Sequence, residues 1–470
     1  MDFPNHKTKI VATIGPSTNH PDKIEALLRA GMNVARLNFS HGEFDFHRET
    51  IRRLREASEK TGIDVAIMAD LPGPKIRIGE LEEEPVELQI GQRIVLTTDD
   101  IVGNVERVSI NLENLPKAVK PEDKLFLNDG LISLKVVEVV DNDVVCEVRA
   151  GGELRSRKGV DLPGIDLGIS AFTERDRECL AFALQEGVDS FSQSFVSDAA
   201  DILALKDAAN EIYGYSPFVI AKIERKQALD NIDEILQVAD GIMVARGDLG
   251  VEIPISRMAV TQKYLMEKAN RVGKPVITAT QMLESMTEHR RPTRAEATDV
   301  ANAILDGTDA VMLSAESAIG QYPIEAVEML AEIAHETENS RSLVDPATLE
   351  DGTVLSLISS SIQHVVHTLK PAAVIVPTRT GSTARNVTSY RLEQWITAFT
   401  SQQSTVKSLQ FSYGVYPVYI DREYKDWSPF VRQWLKKNGI EKGKAVLSQG
   451  PSLDNPSANH RMEIIDLSKG

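Results

Sequence analysis

One run of residues places an amine and two carboxylates where they could act together. Phe218-Val-Ile-Ala-Lys-Ile-Glu224 is apolar until it delivers a lysine and then a glutamate. In a strand, side chains alternate with period two, so Lys222 and Glu224 point the same way. An amphipathic segment follows, with Leu229, Ile232, Ile235, Leu236 and Ala239 near helical spacing. The next apolar run, Gly241-Ile-Met-Val-Ala245, ends in Arg246-Gly-Asp248. Two neighbouring parallel strands would carry Glu224 and Asp248 out at their C-terminal ends. Two hard carboxylates beside a lysine suit a Mg²⁺ or Mn²⁺ site for an anionic substrate. Taken alone, such a βα unit is equally served by two salt-bridged loop carboxylates, so the rest of the chain has to decide.

The chain around that run holds 470 residues, 42% of them hydrophobic and 26% charged, enough for two to four domains. The formal net charge of −17 disfavours a nucleic-acid or anionic-membrane partner. It also means that an anionic substrate needs a local cluster of cations or a metal. Cys146 and Cys179 fit no metal spacing and no disulfide framework, which points to a reducing cytosol and a cytoplasmic protein. The N-terminus lacks the pattern of a signal peptide, and no segment has the roughly 18 apolar residues of a membrane span.

Buried β runs centred near residues 10, 34, 66, 190, 220, 243, 277 and 311 alternate with amphipathic helical patterns. Eight such units predict an α/β fold of the (β/α)₈ TIM-barrel class, whose chemistry gathers on the loops after the strands. An open doubly wound sheet is the runner-up, but no Gly-rich dinucleotide fingerprint follows the first strand. The barrel is expected over residues 1–71 and 161–341. Short alternating β runs over 72–160 read as a small inserted all-β domain. Its joints, Leu71-Pro-Gly-Pro74 and Lys158-Gly-Val-Asp-Leu-Pro-Gly164, would let it serve as a lid or would be ordinary turns. A linker near Arg341–Gly352 precedes a C-terminal α/β domain over 353–470.

The barrel reading lines up polar groups on one rim. Strand two ends in Arg36, Asn38, Ser40 and His41, and strand three in Asp70, with Lys75 and Arg77 beyond. Strand five gives Lys222 and Glu224, and strand six Arg246, Gly247 and Asp248. Strand seven gives Thr278, Thr280 and Gln281, and strand eight Ser314 and Glu316. Each alone is a cap or a salt bridge; together they favour a shared ligand.

Met32-Asn-Val-Ala-Arg-Leu-Asn-Phe-Ser-His-Gly42, Ala221-Lys-Ile-Glu224, Met243-Val-Ala-Arg-Gly-Asp-Leu-Gly-Val-Glu-Ile-Pro254, Thr278-Ala-Thr-Gln-Met-Leu-Glu-Ser-Met286 and Arg291-Pro-Thr-Arg-Ala-Glu296 closely resemble the pyruvate kinase family. The resemblance runs from about Lys7 to the C-terminus. It implies transfer of phosphoryl from phosphoenolpyruvate to ADP, giving pyruvate and ATP. It implies Glu224 and Asp248 as ligands of Mg²⁺ (or Mn²⁺), and Lys222 on the phosphoryl group and the developing enolate oxygen. Arg36 would hold the phosphoryl group from the other side. The main-chain amides of Gly247 and Asp248, with the Thr280 hydroxyl, would receive the carboxylate, and Thr280 would lie near the carbon to be protonated. Asn38, His41 and Arg77 match nucleotide positions, although Asn38 and His41 serve equally as loop organisers. A homotetramer is expected of the family.

The chain departs from the family in places. The family binds potassium through positions matching Asn38, Ser40, Asp70 and the main-chain oxygen of Leu71, and its potassium-dependent members carry a glutamate where this chain has Lys75. An ammonium there takes the place of the ion, so potassium is expected not to be required; the alternative is a Lys75 pointing to solvent. A family lysine near the nucleotide falls at Asp198, and Arg-Lys-Gln-Ala follows Glu224 in place of the commoner Asn-x-Glu-Gly. Ala315 and Ser317 also replace the usual residues. In the C-terminal domain, Thr378, Thr380, Gly381, Ser382 and Thr383 match the family's effector loop, which would take a sugar phosphate or nucleotide; a plain helix cap fits the same pattern. Two other readings stand beside the kinase: another metal-dependent barrel acting on pyruvate or phosphoenolpyruvate, such as an aldolase, and a binding protein that has lost catalysis.

Overall fold

In a computed structural model, which describes residues 3–128, 130–340, 352–450 and 459–469, the eight apolar runs close on themselves. They are β1 (Lys9–Thr13), β2 (Val34–Asn38), β3 (Ala66–Leu71), β4 (Ser190–Gln193), β5 (Phe218–Ile223), β6 (Gly241–Ala245), β7 (Val276–Ala279) and β8 (Ala310–Leu313). Each pairs in parallel with the next, and β8 returns to β1 in the register Lys9↔Ala310 to Ala12↔Leu313. Most strand residues are apolar because both faces are buried; β4, Ser-Phe-Ser-Gln, is the polar exception. Val11, Val34, Met68, Ile220, Met243, Ile277 and Met312 pack inside the barrel. Their neighbours Ile10, Ala35, Ile67, Val219 and Ile242 pack outward against the helices. The outer helices start and stop where their sequences say. Thr173, Asp198 and Thr293 each open a helix with a capping box, and Gly31, Gly214 and Gly307 end theirs in the left-handed region.

Some local expectations differ from what forms. The amphipathic run after Glu224 is two helices, Lys226–Asp230 and Ile232–Val238, broken at Asn231. Arg246–Glu252 is a short helix, so Gly247 and Asp248 lie in a first helical turn rather than at a strand end. Thr278 is fully buried and bonds to Thr308, below the rim.

Between β3 and β4 the chain forms a six-stranded sheet with its own apolar core, organised by the long hairpin Ile132–Val140/Asp143–Ala150. A two-stranded ribbon, Val86–Leu88 with Gly152–Leu154, flanks it. Beyond the barrel, a five-stranded sheet is ordered β11 (Val415–Tyr419), β10 (Ile396–Thr400), β9 (Ala373–Pro377), β12 (Lys444–Gln449) and β13 (Arg461–Asp466). β13 is antiparallel to β12. The linker placed at Arg341–Gly352 lies, except for Gly352, outside the described residues.

The C-terminal sheet's domain closes the base of the barrel. Phe411 enters the barrel's interior cluster, with its ring 5.4 Å from that of Phe218 at the start of β5. Lys9 on β1 donates to the Val415 carbonyl at 2.8 Å. Fully buried Arg391 grips both Asp309 oxygens at 2.8 and 3.0 Å, and Asp309 also accepts from the Tyr413 amide at 3.0 Å. Removing one partner of such a pair strands a charge in low dielectric. Arg391→Ala is therefore expected to cost about 3–5 kcal/mol of stability, read as a lowered denaturation midpoint; an unmoved midpoint would show that the pair contributes nothing.

Candidate active site

The C-terminal ends of β2, β3, β4 and β5 bring the charged groups together. Lys222 on β5 lies between Glu224, 3.2 Å from its Oε2, and Asp70 on β3, 3.7 Å from its Oδ1. Asp70 is buried and also receives Nε of Arg36 from β2 at 3.0 Å and the Ser192 hydroxyl from β4 at 2.6 Å. Arg36 Nη1 reaches back to the Thr13 hydroxyl at 2.9 Å. Ser194 accepts from Lys222 Nζ at 2.7 Å and donates to the Leu71 carbonyl at 2.7 Å. One Glu224 oxygen, Oε1, accepts the Phe195 amide at 2.6 Å. The other, Oε2, is buried with no hydrogen-bond donor.

The electrostatics follow from burial and crowding. Burial pushes the Glu224 carboxyl up to about 7, Lys222 opposing and Asp248 adding to the rise. Burial also works against charge on Lys222, but Asp70, Glu224 and Asp248 together lift its pKa above the ordinary lysine value. Asp70 would be raised by burial alone; Lys222, Arg36 and the Ser192 hydroxyl hold it below the usual range. Lys222 is thus a fixed cation and Asp70 a fixed anion, while Glu224 is the group poised to gain or lose a proton.

Across the rim, Gly247 and Asp248 are open to solvent, in contrast to buried Glu224. The Gly247 amide donates to the Thr280 hydroxyl at 2.8 Å, and that hydroxyl donates to the Ala279 carbonyl at 2.7 Å. Thr280 and Gln281 hold φ of 67° and 51°, a region that non-glycine residues enter at a cost. Arg246 keeps them there. Its buried guanidinium donates to the carbonyls of Ala279, Thr280 and Gln281 at 3.2, 2.6 and 3.3 Å and pairs with Asp299 at 2.6 Å.

A second cationic group adjoins the first. Lys75, an exposed residue, donates from Nζ to the Ser40 carbonyl at 3.0 Å, so its head turns onto the β2 loop while staying open to solvent. Asn38 Oδ1 accepts the Ser40 amide at 3.0 Å, which organises that loop. Burial first, then Lys75, Arg77 and Arg36, lower the His41 pKa, which marks the place as electropositive. Arg77 donates to the Arg157 carbonyl at 2.8 Å, on the inserted domain's way back. A cavity of about 550 Å³ lined by Lys75, Asn111, Lys117 and Thr173 opens alongside.

Two sequence-marked features stand apart. Asp198, where the family has a lysine, caps its helix and accepts the Ala200 amide at 2.9 Å, a structural role for the carboxylate. The loop Thr378–Thr383 lies towards the barrel's other end: Arg385, just beyond it, sits 5.0 Å over the ring of Phe218, which opens the strand that Lys222 nearly closes. Within the loop, the Thr378 hydroxyl accepts the Gly381 amide at 3.0 Å and the Thr380 hydroxyl accepts that of Ser382 at 3.5 Å.

Two family models match the chain: the pyruvate kinase barrel domain over residues 5–327 and the pyruvate kinase alpha/beta domain over residues 356–459. The chain belongs to the pyruvate kinase family. It is 44% identical to a pyruvate kinase of Thermococcus litoralis, over 99% of this chain and all of that one. It is 45% identical to a pyruvate kinase of Geobacillus stearothermophilus, over 87% of this chain and 71% of that longer one. The crystal structure of a pyruvate kinase from Cryptosporidium parvum superposes with a TM-score of 0.91 at 35% identity, covering 98% and 96% of the two chains. The activity is accordingly that of a pyruvate kinase, a phosphotransferase, and no helix among the described residues is long and apolar enough to cross a membrane.

Thr13, Ser192, Ser194, the Phe195 amide and the clamping role of Arg246 were not picked out from sequence. The serines left a trace: Ser190, Ser192 and Ser194 alternate along a strand in a barrel of otherwise apolar runs. A hydrogen bond to a charged group contributes about 1.5–3 kcal/mol. Ser194→Ala is thus expected to lower kcat about 10- to 100-fold in a pyruvate kinase assay, with KM for phosphoenolpyruvate little changed. A normal kcat would show that Lys222 needs no such support.

Proposed function

We propose that phosphoryl transfer from phosphoenolpyruvate to ADP runs on the rim of β5 and β6, with Glu224 and Asp248 as the protein ligands of Mg²⁺ or Mn²⁺. The observation that carries this reading is the buried Glu224 Oε2, which makes no hydrogen bond and has the Lys222 ammonium 3.2 Å away as its counter-charge. A hard anionic oxygen in that position suits a hard dication. Among the described residues no cluster of three or more His, Cys, Asp or Glu could hold a metal unaided. That fits Mg²⁺, which commonly takes one or two carboxylates and completes its shell with water and substrate oxygens. When bound, such an ion supplies charge neutralisation between the two phosphate-bearing partners.

The chain's own residues do the rest. Lys222 and Arg36, both anchored on Asp70, flank the transferring group from two sides. Their positive charge is already in place when negative charge moves from the phosphoryl to the enolate oxygen, so no reorganisation is required. Gly247 and Asp248 are exposed residues, and their amides with the Thr280 hydroxyl would take the substrate carboxylate in place of the Gly247–Thr280 bond. Loss of the phosphoryl leaves an enolate that must gain a proton at carbon; Thr280 would orient the water that delivers it. His41, Lys75 and Arg77 form the electropositive approach for the nucleotide phosphates.

The same geometry supports independence from potassium. Lys75 puts its charge on the Ser40 carbonyl, the Leu71 carbonyl is occupied by Ser194, and Asp70 is occupied by Arg36, Lys222 and Ser192. Assays in sodium-only and potassium buffers are expected to give rates within about twofold of each other, since the charge requirement is already met; strong activation by potassium would overturn this.

The metal reading has its own test. With Glu224 raised to about 7, the ion must displace a proton below that pH and none above it. Mn²⁺ should therefore bind about tenfold more weakly near pH 6 than near pH 8, as followed by the electron paramagnetic resonance of the free ion. Glu224→Gln should abolish that dependence together with tight binding. Affinity flat across this range would reject Glu224 as a ligand.

A further inference from the structure

The stretch after Glu224, Arg225-Lys-Gln, is where the chain leaves its family's commoner sequence, and two of the three residues, Arg225 and Gln227, bond to one other segment. Buried Arg225 donates from Nη2 to the Ile165 carbonyl at 2.9 Å, and Gln227 Nε2 donates to the same carbonyl at 3.0 Å. The Lys226 amide and the Gly164 amide share Glu252 Oε2 at 3.1 and 3.2 Å. Residues 164 and 165 belong to the joint by which the inserted β domain returns to the barrel, and Ile165 is part of that domain's core.

Arg225 also faces the metal side. Its guanidinium lies 4.3 Å over the Phe195 ring, and Nη1 donates to the Ser197 hydroxyl at 3.0 Å. Phe195 has φ of 66° and packs its ring against the inserted domain's core. Its amide is the donor to Glu224 Oε1. A non-glycine residue in that region is strained by about 1–2 kcal/mol and stays there only when its surroundings fix it. Here the fixing surroundings are the inserted domain on one side and Arg225 on the other.

We propose that Arg225, assisted by Gln227, is a positioning residue that ties the seating of the inserted domain to the aim of Glu224, by way of Phe195. Arg225 touches no reacting atom. A displaced return joint would draw the guanidinium off the ring, free the Phe195 backbone to relax, and withdraw the amide that orients the carboxylate. The metal's grip thereby depends on where the inserted domain sits.

The inference rests on Glu224 being a metal ligand, and the experiment separates the two. Full-length wild type, Arg225→Met, Arg225→Lys and Gln227→Ala are compared by direct Mn²⁺ binding and by hydrogen–deuterium exchange. Arg225→Met is expected to weaken Mn²⁺ about 10-fold, the scale of losing a partner that orients a ligand. It should also speed exchange over both Leu162–Leu167 and Gln193–Ser197. Gln227→Ala should speed exchange at the first segment with a smaller loss of affinity. Faster exchange at the joint with Mn²⁺ affinity unchanged, in Arg225→Met or, should that variant not fold, in Arg225→Lys, overturns the coupling. Absence of saturable Mn²⁺ binding in wild type overturns the metal assignment instead, and the coupling with it.

Discussion

Asp70 is the constraint around which the site is built. A buried carboxylate is costly unless its charge is met, and here it is met by Arg36, Lys222 and Ser192 on three different strands. The pairing works in both directions. Two cations that would repel each other across an anionic substrate are fixed in place before it arrives, and neither has to shed water or find a rotamer during the reaction. The closed barrel makes this possible: neighbouring parallel strands in fixed register set Ser192 opposite Asp70 and leave Arg36 and Lys222 two residues to either side of that level. Glu224, two residues beyond Lys222, is left with less compensation, and its elevated pKa is the consequence.

Much of this could be read in the chain because it rests on short-range rules. Period two set Lys222 and Glu224 on one side, and the spacing of apolar runs gave the number and places of the barrel strands. The polar rim followed once the strands were counted. Other features escaped for physical reasons. Helical periodicity continues through Leu229–Ile235, so nothing in it marks the break at Asn231. Arg246-Gly-Asp248 reads as a strand's polar end, whereas the backbone has already turned helical. Ser194 and Phe195 act through partners 123 and 29 residues away, a relation that only tertiary structure creates. The substrate's identity came from resemblance, since spacing alone stops at a metal-assisted reaction on a phosphorylated anion.

The two joints of the inserted domain share a device. Gly73 and Gly164 both hold positive φ, and each donates its amide to a carboxylate, buried Asp176 and half-buried Glu252 respectively. Burial, foremost among the causes, raises the pKa of both acids. Positive φ explains why glycine stands there: any other residue would add strain at the points where the chain reverses between domains. The inserted domain is thus free to differ in its own sequence while its points of attachment stay defined.

The plug at the base has a bearing on biogenesis. Lys9 bonds to Val415, made 406 residues later. At roughly 5–20 residues per second, the opening strand waits on the order of 20–80 s for its partner. During that interval the mouth that Phe411 fills is an open apolar ring. Between the making of β8 and that of Phe411, a nascent chain of this design carries a finished catalytic rim above an unsealed floor, and chaperone capture or premature association would be concentrated at that end.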